Sequence, residues 1–133
     1  MVLQRDTTVA IWGQALPESI VYLSPSWGNI IKVKSDSNGF WKAFSETIND
    51  QKNHSLRIKS GKDKIFINNI LLGEVWLASG QSNMEMDFDY CCNTTDSANK
   101  ILKETHYPLV RMFNVKKTLE YKPTNNVDGY WME

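Results

Sequence analysis

The sequence predicts a mixed fold, in which an antiparallel β-sandwich-like domain is followed by the first β-strand, helix and strand of an α/β domain. Residues 1–70 contain six short strand-like segments separated by turn residues, a spacing typical of β-sandwiches. From residue 71 onward, an apolar run without alternation precedes a helical spacing and a second apolar run. We therefore place the two domains at residues 1–70 and 71–133, and expect the second to be incomplete.

Alternation and turn residues define the strands of the first domain. Asn38-Gly39 lies between two apolar runs, which is a strong signal for a hairpin. In residues 56–59 apolar and basic side chains alternate, so Leu56 and Ile58 are expected to face a core while Arg57 and Lys59 face water. The predicted strands cover residues 8–12, 20–23, 31–34, 41–48, 56–59 and 65–67.

The second domain opens with residues 75–79, an apolar run expected to be a strand buried on both faces of a parallel sheet. Thr94 or Thr95 is placed to cap a short helix, and residues 110–115 resemble a second strand. This order begins a βαβ unit. Two parallel strands and one helix cannot cover both faces of their sheet, so further chain is expected beyond residue 133.

Composition excludes several classes of partner. Lysine plus arginine and aspartate plus glutamate balance at 15 each, and no basic stripe is visible in the sequence, so nucleic-acid binding has no support. No apolar run approaches the roughly 18 residues of a transmembrane helix, so no membrane partner is expected. The first residues become charged at once, and this chain therefore has no recognisable signal peptide.

The cysteines and acidic residues after residue 84 do not predict a metal site. Cys91 and Cys92 are adjacent, which suits neither a disulfide framework nor zinc, and we interpret them as small semi-buried residues. Pairing with cysteines outside this chain stays open. Glu85, Asp87 and Asp89 are interpreted as a solvated loop at a pocket rim, because alternate loop positions give no fixed carboxylate separation.

Gly80 and Ser82 follow the predicted buried strand, where ligand sites of α/β sheets are found. A serine hydroxyl reacts only when it is exposed beside a base, with donors aimed at the developing oxyanion. Glycine permits the sharp turn that exposes such a serine. Position alone leaves a second interpretation equally open, namely that Ser82 caps the following segment.

The longer run 73–86, Gly-Glu-Val-Trp-Leu-Ala-Ser-Gly-Gln-Ser-Asn-Met-Glu-Met, resembles the nucleophile block of the sialate O-acetylesterase family. That family belongs to the SGNH/GDSL hydrolases. Residues 1–13, 38–41 and 108–113 also resemble family segments, in the family's order. The resemblance thus covers nearly the whole chain, and the Gly-Gln-Ser-Asn-Met string is its most specific part.

The resemblance implies an SGNH-type α/β hydrolase domain that removes acetyl groups from carbohydrate hydroxyls, with sialic acid or a polysaccharide as the sugar. It implies that Ser82 is the nucleophile and that its backbone N–H contributes to the oxyanion hole. Gly80, Gln81 and Asn83 become candidates for the substrate pocket. No cofactor and no metal is implied, and the location implied is periplasmic or extracellular.

The family's catalytic His and Asp, with its other oxyanion donors, would follow Glu133. His54 and His106 are interpreted as surface or loop histidines that do not serve Ser82. The chain alone is therefore expected to be nearly inert, and the remainder of the same enzyme is an expected partner.

Of the five tryptophans, Trp76 is predicted to lie in the core, and Trp27 is the best candidate for exposed sugar stacking. Three alternatives to a sialate esterase stay open at this point. The chain could act on acetylated xylan, it could be a non-catalytic carbohydrate-binding β-sandwich module, or it could be a shortened chain without a function of its own.

Overall fold

The computed structural model describes residues 1–84, 86, 100, 104, 107–124 and 126–132. The chain divides into two compact units, Met1–Val75 and Trp76–Glu133. The first unit contains β1 (Val2–Gln4), β2 (Thr8–Gln14), β3 (Ile20–Pro25), β4 (Ile31–Lys34), β5 (Phe40–Glu46), β6 (His54–Ser60) and β7 (Asp63–Gly73). The second contains a 3-10 turn at Ser82–Met84, β8 (Met112–Val115) and β9 (Gly129–Met132). Strand β7 continues past residue 71, where the sequence placed the start of the second domain.

Two sheets form the first unit. One has five strands in the order β1-β7-β6-β3-β4, and the other pairs β2 with β5. All neighbours are antiparallel except β1 and β7, which are parallel. Side chains from both sheets meet in one hydrophobic core, as expected of a sandwich. The buried residues of this core are Val21, Leu23, Trp27, Trp41, Ala43, Leu56, Ile70 and Leu72.

All six strands predicted in residues 1–70 are present, with bounds shifted by a few residues. The register predicted for β6 is confirmed, because Leu56 is buried and Ile58 packs against the core while Arg57 and Lys59 are exposed. Strand β1 was not predicted. Its three residues are too few to show alternation, and it is recognisable only through its partner β7.

The hairpin predicted at Asn38-Gly39 is wrong, although a tight turn is present there. Strand β4 pairs with β3, whereas β5 pairs with β2 in the other sheet, so the turn passes the chain between sheets. Asp36 Oδ1 accepts hydrogen bonds from the N–H groups of Asn38 (2.8 Å) and Phe40 (2.9 Å), which fixes the turn. The local turn residues specify the reversal of the chain. Which strand β5 pairs with depends instead on packing in the core.

The strand predicted at residues 75–79 is not present in this structure. These residues form no strand, and Trp76 and Leu77 are 86% and 92% exposed. The prediction that Trp76 lies in the core therefore fails. A strand buried on both faces needs a paired strand on each side and a layer above and below, and the described residues supply none of these for 75–79.

In the second unit, the strand predicted at residues 110–115 is present as β8. It pairs with β9 in antiparallel register, and the rings of Phe113 and Trp131 meet with centroids 5.2 Å apart. The sequence had instead predicted a parallel pairing within a βαβ unit. Most of the helix predicted after Thr94 or Thr95, and the adjacent Cys91 and Cys92, lie outside the described residues.

Candidate active site around Ser82

The segment that carries Ser82 begins at Glu74, directly after β7. The Glu74 carboxylate accepts hydrogen bonds from Gln4 Nε2 (3.0 Å) and Arg5 Nε (2.9 Å), and the Val75 N–H donates to Gln4 Oε1 (2.8 Å). The hydrogen bond from Gln4, followed by that from Arg5, lowers the pKa of Glu74 below its ordinary value. The start of the segment is thus held by Gln4, the last residue of β1, and by Arg5, which follows it.

A single 3-10 turn presents the serine. It spans Ser82–Met84 and is closed by a hydrogen bond from the Met84 N–H to the Gln81 carbonyl (2.9 Å). The four predicted site residues, Gly80, Gln81, Ser82 and Asn83, are all exposed and contiguous. The turn therefore keeps the serine and the pocket candidates at the surface.

The Met84 side chain comes close to Gly80. A Cβ atom at position 80 would lie 2.5 Å from Met84 Cγ, well inside the van der Waals distance. The glycine thus allows the chain to fold back on itself immediately before the serine. This gives a physical reason for the glycine of the Gly-x-Ser string.

The backbone N–H of Ser82 has no backbone partner within the described part of the chain. This is usual for the first N–H groups of a helical turn. An N–H without a backbone partner, beside an exposed hydroxyl, is the arrangement that an oxyanion hole requires. A proton acceptor for the hydroxyl is absent from the described residues near this turn, so the site as described is chemically incomplete.

His54 does not supply that base. It is 7% exposed, which corrects the prediction of a surface histidine. Its Nδ1 lies 3.0 Å from Ser26 Oγ and its Nε2 lies 2.7 Å from Asp50 Oδ1, and the Trp27 ring packs edge-on against the imidazole. Both ring nitrogens are therefore occupied within the first unit. His106 lies outside the described residues.

Ser26, His54 and Asp50 form a hydrogen-bonded chain of the kind found in hydrolases, but two features make it structural. The Ser26 N–H donates to the Ser55 carbonyl (2.9 Å), so it cannot stabilise an oxyanion. The Ser26 Oγ already accepts from the Ser55 N–H (3.0 Å). These hydrogen bonds join the end of β3 to the start of β6. Ser82, by contrast, donates its N–H to no backbone carbonyl among the described residues.

Trp27 is part of the core and not a sugar-stacking platform, which corrects a second prediction. It is buried, and its Nε1 donates to Ser45 Oγ at 3.2 Å across the sandwich. The flanking Ser26 and Gly28 suggested exposure. The sequence could not show that the indole points back between the two sheets.

No group of three or more His, Cys, Asp or Glu side chains suited to a metal occurs among the described residues. Glu85, Asp87 and Asp89, predicted to form a rim, fall outside them. Within the described part of the chain, no helix is both long and apolar enough to cross a membrane.

Comparisons with known proteins relate the whole described fold to one group of esterases. No protein-family model matches the chain. It is 30% identical to mouse sialate O-acetylesterase over 135 residues, covering 86% of this chain and 23% of the mouse protein. It is 29% identical to the rat sialate O-acetylesterase, covering 97% of this chain and 25% of the rat protein.

A solved carbohydrate acetylesterase from Xanthomonas citri is also similar. The two structures superpose with a TM-score of 0.86 at 27% sequence identity, over 98% of this chain and 29% of the other. The chain thus spans about a quarter of the length of the curated relatives it matches. Sequence and structural similarity both relate this chain to sialate O-acetylesterases and carbohydrate acetylesterases.

Proposed function

We propose that this chain is the N-terminal part of a carbohydrate O-acetylesterase in which Ser82 is the nucleophile. The observation that carries the proposal is the exposed 3-10 turn, where the serine N–H donates to no described backbone carbonyl. The turn falls within the string that resembles the family's nucleophile block. The named relatives are a sialate O-acetylesterase and a carbohydrate acetylesterase, which favours an acetylated sugar as the substrate.

In this mechanism the Ser82 hydroxyl attacks the acetyl carbonyl, and the tetrahedral oxyanion accepts a hydrogen bond from the Ser82 N–H. A histidine later in the enzyme takes the serine proton and returns it to the leaving sugar hydroxyl. Water then attacks the acyl-enzyme and releases acetate. Gly80, Gln81 and Asn83 line the pocket on either side of the serine. None of these proposed steps uses a cofactor or a metal.

The rest of the hydrolase would cover the apolar surface of residues 75–77. Val75, Trp76 and Leu77 form a contiguous exposed apolar run, and such runs mark surfaces that another part of a protein occupies. We propose that the β-sandwich is followed by an SGNH-type α/β domain completed by chain beyond residue 133. In that setting residues 75–79 would gain the neighbours that a buried strand needs. The acetylated glycan would be periplasmic or extracellular.

The test uses the longer enzyme and compares Ser82→Ala with Ser79→Ala, an exposed serine three residues away. Ser82→Ala should abolish acetate release from an O-acetylated sialoside and prevent labelling by a fluorophosphonate. Ser79→Ala should keep both within a few-fold of the unaltered enzyme. If the unaltered enzyme prefers acetylated xylan to the sialoside, its substrate is the acetylated polysaccharide. Failure of the unaltered enzyme to be labelled at Ser82 would contradict the proposal and favour a non-catalytic module.

A further inference from the structure

The outer face of the five-stranded sheet carries five cationic side chains, which we call the basic face. They lie on three strands, and each is followed or preceded by an apolar residue, so none of them adjoins another in the sequence. All five are exposed. The residues of the basic face are Lys32, Lys34, Arg57, Lys59 and Lys64.

The strand register places these cations side by side. Tyr22 of β3 is directly opposite Lys32 on β4 and Lys59 on β6, and Lys59 is directly opposite Lys64 on β7. Cross-strand partners share one face of a sheet, and three strand intervals of about 4.8 Å give a row roughly 14 Å long. The neighbouring Val21 is buried, which confirms that the row points away from the core.

This row is costly for the fold. Like charges directly opposite on paired strands destabilise a sheet, and Lys59 and Lys64 form such a pair. Among the described residues, Glu18 pairs with Lys34, but Lys32, Lys59 and Lys64 have no acidic partner. Features that oppose stability without a compensating contact occur mainly at functional surfaces. The face therefore presents positive charge that no described acidic side chain neutralises.

Two aromatic rings lie among the cations. Tyr22 is 41% exposed within the row, and Phe66 is 56% exposed on β7, opposite Arg57, whose guanidinium lies 5.8 Å from the ring centroid. Exposed rings beside cations suit a ligand with both apolar ring faces and negative groups. A glycan with carboxylates has both. The chain as a whole has no net charge, so the attraction of this face for an anion is local.

We propose that the basic face binds an anionic glycan through its carboxylates. The proposal rests on the esterase function above and extends it, since the face would hold sialate-bearing chains by contacts separate from the Ser82 turn. Lys32, Lys59 and Lys64 contact carboxylates, and Tyr22 and Phe66 pack against sugar rings. These residues lie on β3, β4, β6 and β7, so the surface belongs wholly to the first unit.

The 133-residue chain is titrated with polysialic acid, and with dextran of similar length as the neutral control, by calorimetry at low and physiological salt. We expect binding to polysialic acid that weakens as salt rises, and none to dextran. The triple variant Lys32→Gln, Lys59→Gln, Lys64→Gln should weaken binding by roughly tenfold or more. A matched variant that removes the same charge elsewhere, Lys42→Gln, Lys116→Gln, Lys122→Gln, should stay within about threefold.

Equal loss in the two triple variants would overturn the proposal, because it would show an effect of net charge only. Tighter binding to single-stranded RNA or to phosphatidylserine vesicles at the same salt would also overturn it. The melting temperature of the Lys32, Lys59 and Lys64 variant should not fall, which guards against unfolding as the cause. Binding is measured without turnover. Loss of activity in Ser82→Ala together with unchanged polysialic acid affinity therefore separates this proposal from the catalytic one.

Discussion

His54 Nε2 lies 2.7 Å from Asp50 Oδ1, and this contact closes the loop between β5 and β6 over the edge of the core. The hydrogen bond from His54 is the main reason that the pKa of Asp50 is lowered from its ordinary value, with a smaller contribution from the Lys52 N–H. An acid whose pKa is lowered by folding stabilises the native state in its charged form. The contact therefore links the stability of the sandwich to pH.

The first prediction concerns Asp50→Asn. Because the folded pKa of Asp50 lies below the unfolded one, its contribution is present above about pH 4 and is lost as the pH falls through the folded pKa. The variant should be less stable at pH 7, since a neutral amide is a weaker acceptor than a carboxylate. Its stability should also fall less steeply between pH 5 and pH 3. Urea unfolding across this range, with Asp63→Asn as the control, measures both effects. A slope equal to that of the unaltered chain would contradict the linkage.

Ser45→Ala tests the burial of Trp27. The hydroxyl of Ser45 accepts the hydrogen bond from Trp27 Nε1 in the closed interior of the sandwich, so its removal leaves a buried indole N–H without an acceptor. We expect a loss of about 1–3 kcal/mol in the free energy of unfolding. In a Trp27→Phe background, which has no N–H to satisfy, the same change should cost much less. Equal costs in the two backgrounds would show that the hydrogen bond contributes nothing.

The strands of the first unit could be predicted from sequence because each carries its own signal. In β6 the alternation of Leu56, Arg57, Ile58 and Lys59 fixes which side is buried, whatever its partner. Which strands pair is a non-local property. Asn38-Gly39 specified a turn correctly, yet the chain enters a different sheet after it, because the β5 side chains complete the core from the other side.

The candidate site was predictable in part for the same reason. The Gly80 to Met84 string is local, and a 3-10 turn lies at Ser82–Met84, although the strand expected to precede it is not present. Trp27 and His54 were predicted to be exposed but are buried, and Trp76 was predicted to be buried but is exposed. Each of these predictions failed because burial depends on what surrounds the residue in space. The basic face was missed entirely. Its lysines come together only through the register of four strands, which no spacing in the sequence records.

Gly39→Ala and Gly61→Ala separate two costs of replacing a glycine. Both residues have positive φ, at 83° and 57°. A Cβ at position 39 would also lie 2.4 Å from the Ala15 carbonyl oxygen, whereas position 61 opens to free space. Gly61→Ala should therefore cost about 1 kcal/mol from backbone strain alone, and Gly39→Ala about 3 kcal/mol or more. Thermal or urea unfolding of the two variants is the measurement. Similar losses would show that the contact with Ala15 relaxes freely.

Lys64→Glu should make the sandwich more stable. It replaces the repulsion between Lys64 and the facing Lys59 by attraction, for an expected gain of about 0.2–1 kcal/mol at low salt. Lys62→Glu makes the same charge change in the turn between β6 and β7, without a cross-strand partner, and should gain less. Added salt should reduce the difference. If Lys62→Glu stabilises the protein as much as Lys64→Glu does, the effect comes from overall charge and not from the Lys59–Lys64 pair.

The last prediction concerns the glycine before the proposed nucleophile. Gly80→Ala places a methyl group 2.5 Å from Met84 Cγ, so either the side chain or the 3-10 turn at Ser82–Met84 must move. In the longer enzyme this displacement should lower kcat by tenfold or more, since a shift of about 1 Å at a reacting group is enough for such a loss.

Met84→Ala removes the atom in conflict and leaves Cβ at 3.4 Å, an acceptable contact. The double variant Gly80→Ala, Met84→Ala should therefore recover most of the activity that Gly80→Ala loses, while Met84→Ala alone stays close to the unaltered enzyme. Acetate release and fluorophosphonate labelling of all four proteins give the comparison. If the double variant is as inactive as Gly80→Ala, the conflict with Met84 does not explain the loss of activity. The loss would then come from the backbone conformation of Gly80 or from its contact with substrate.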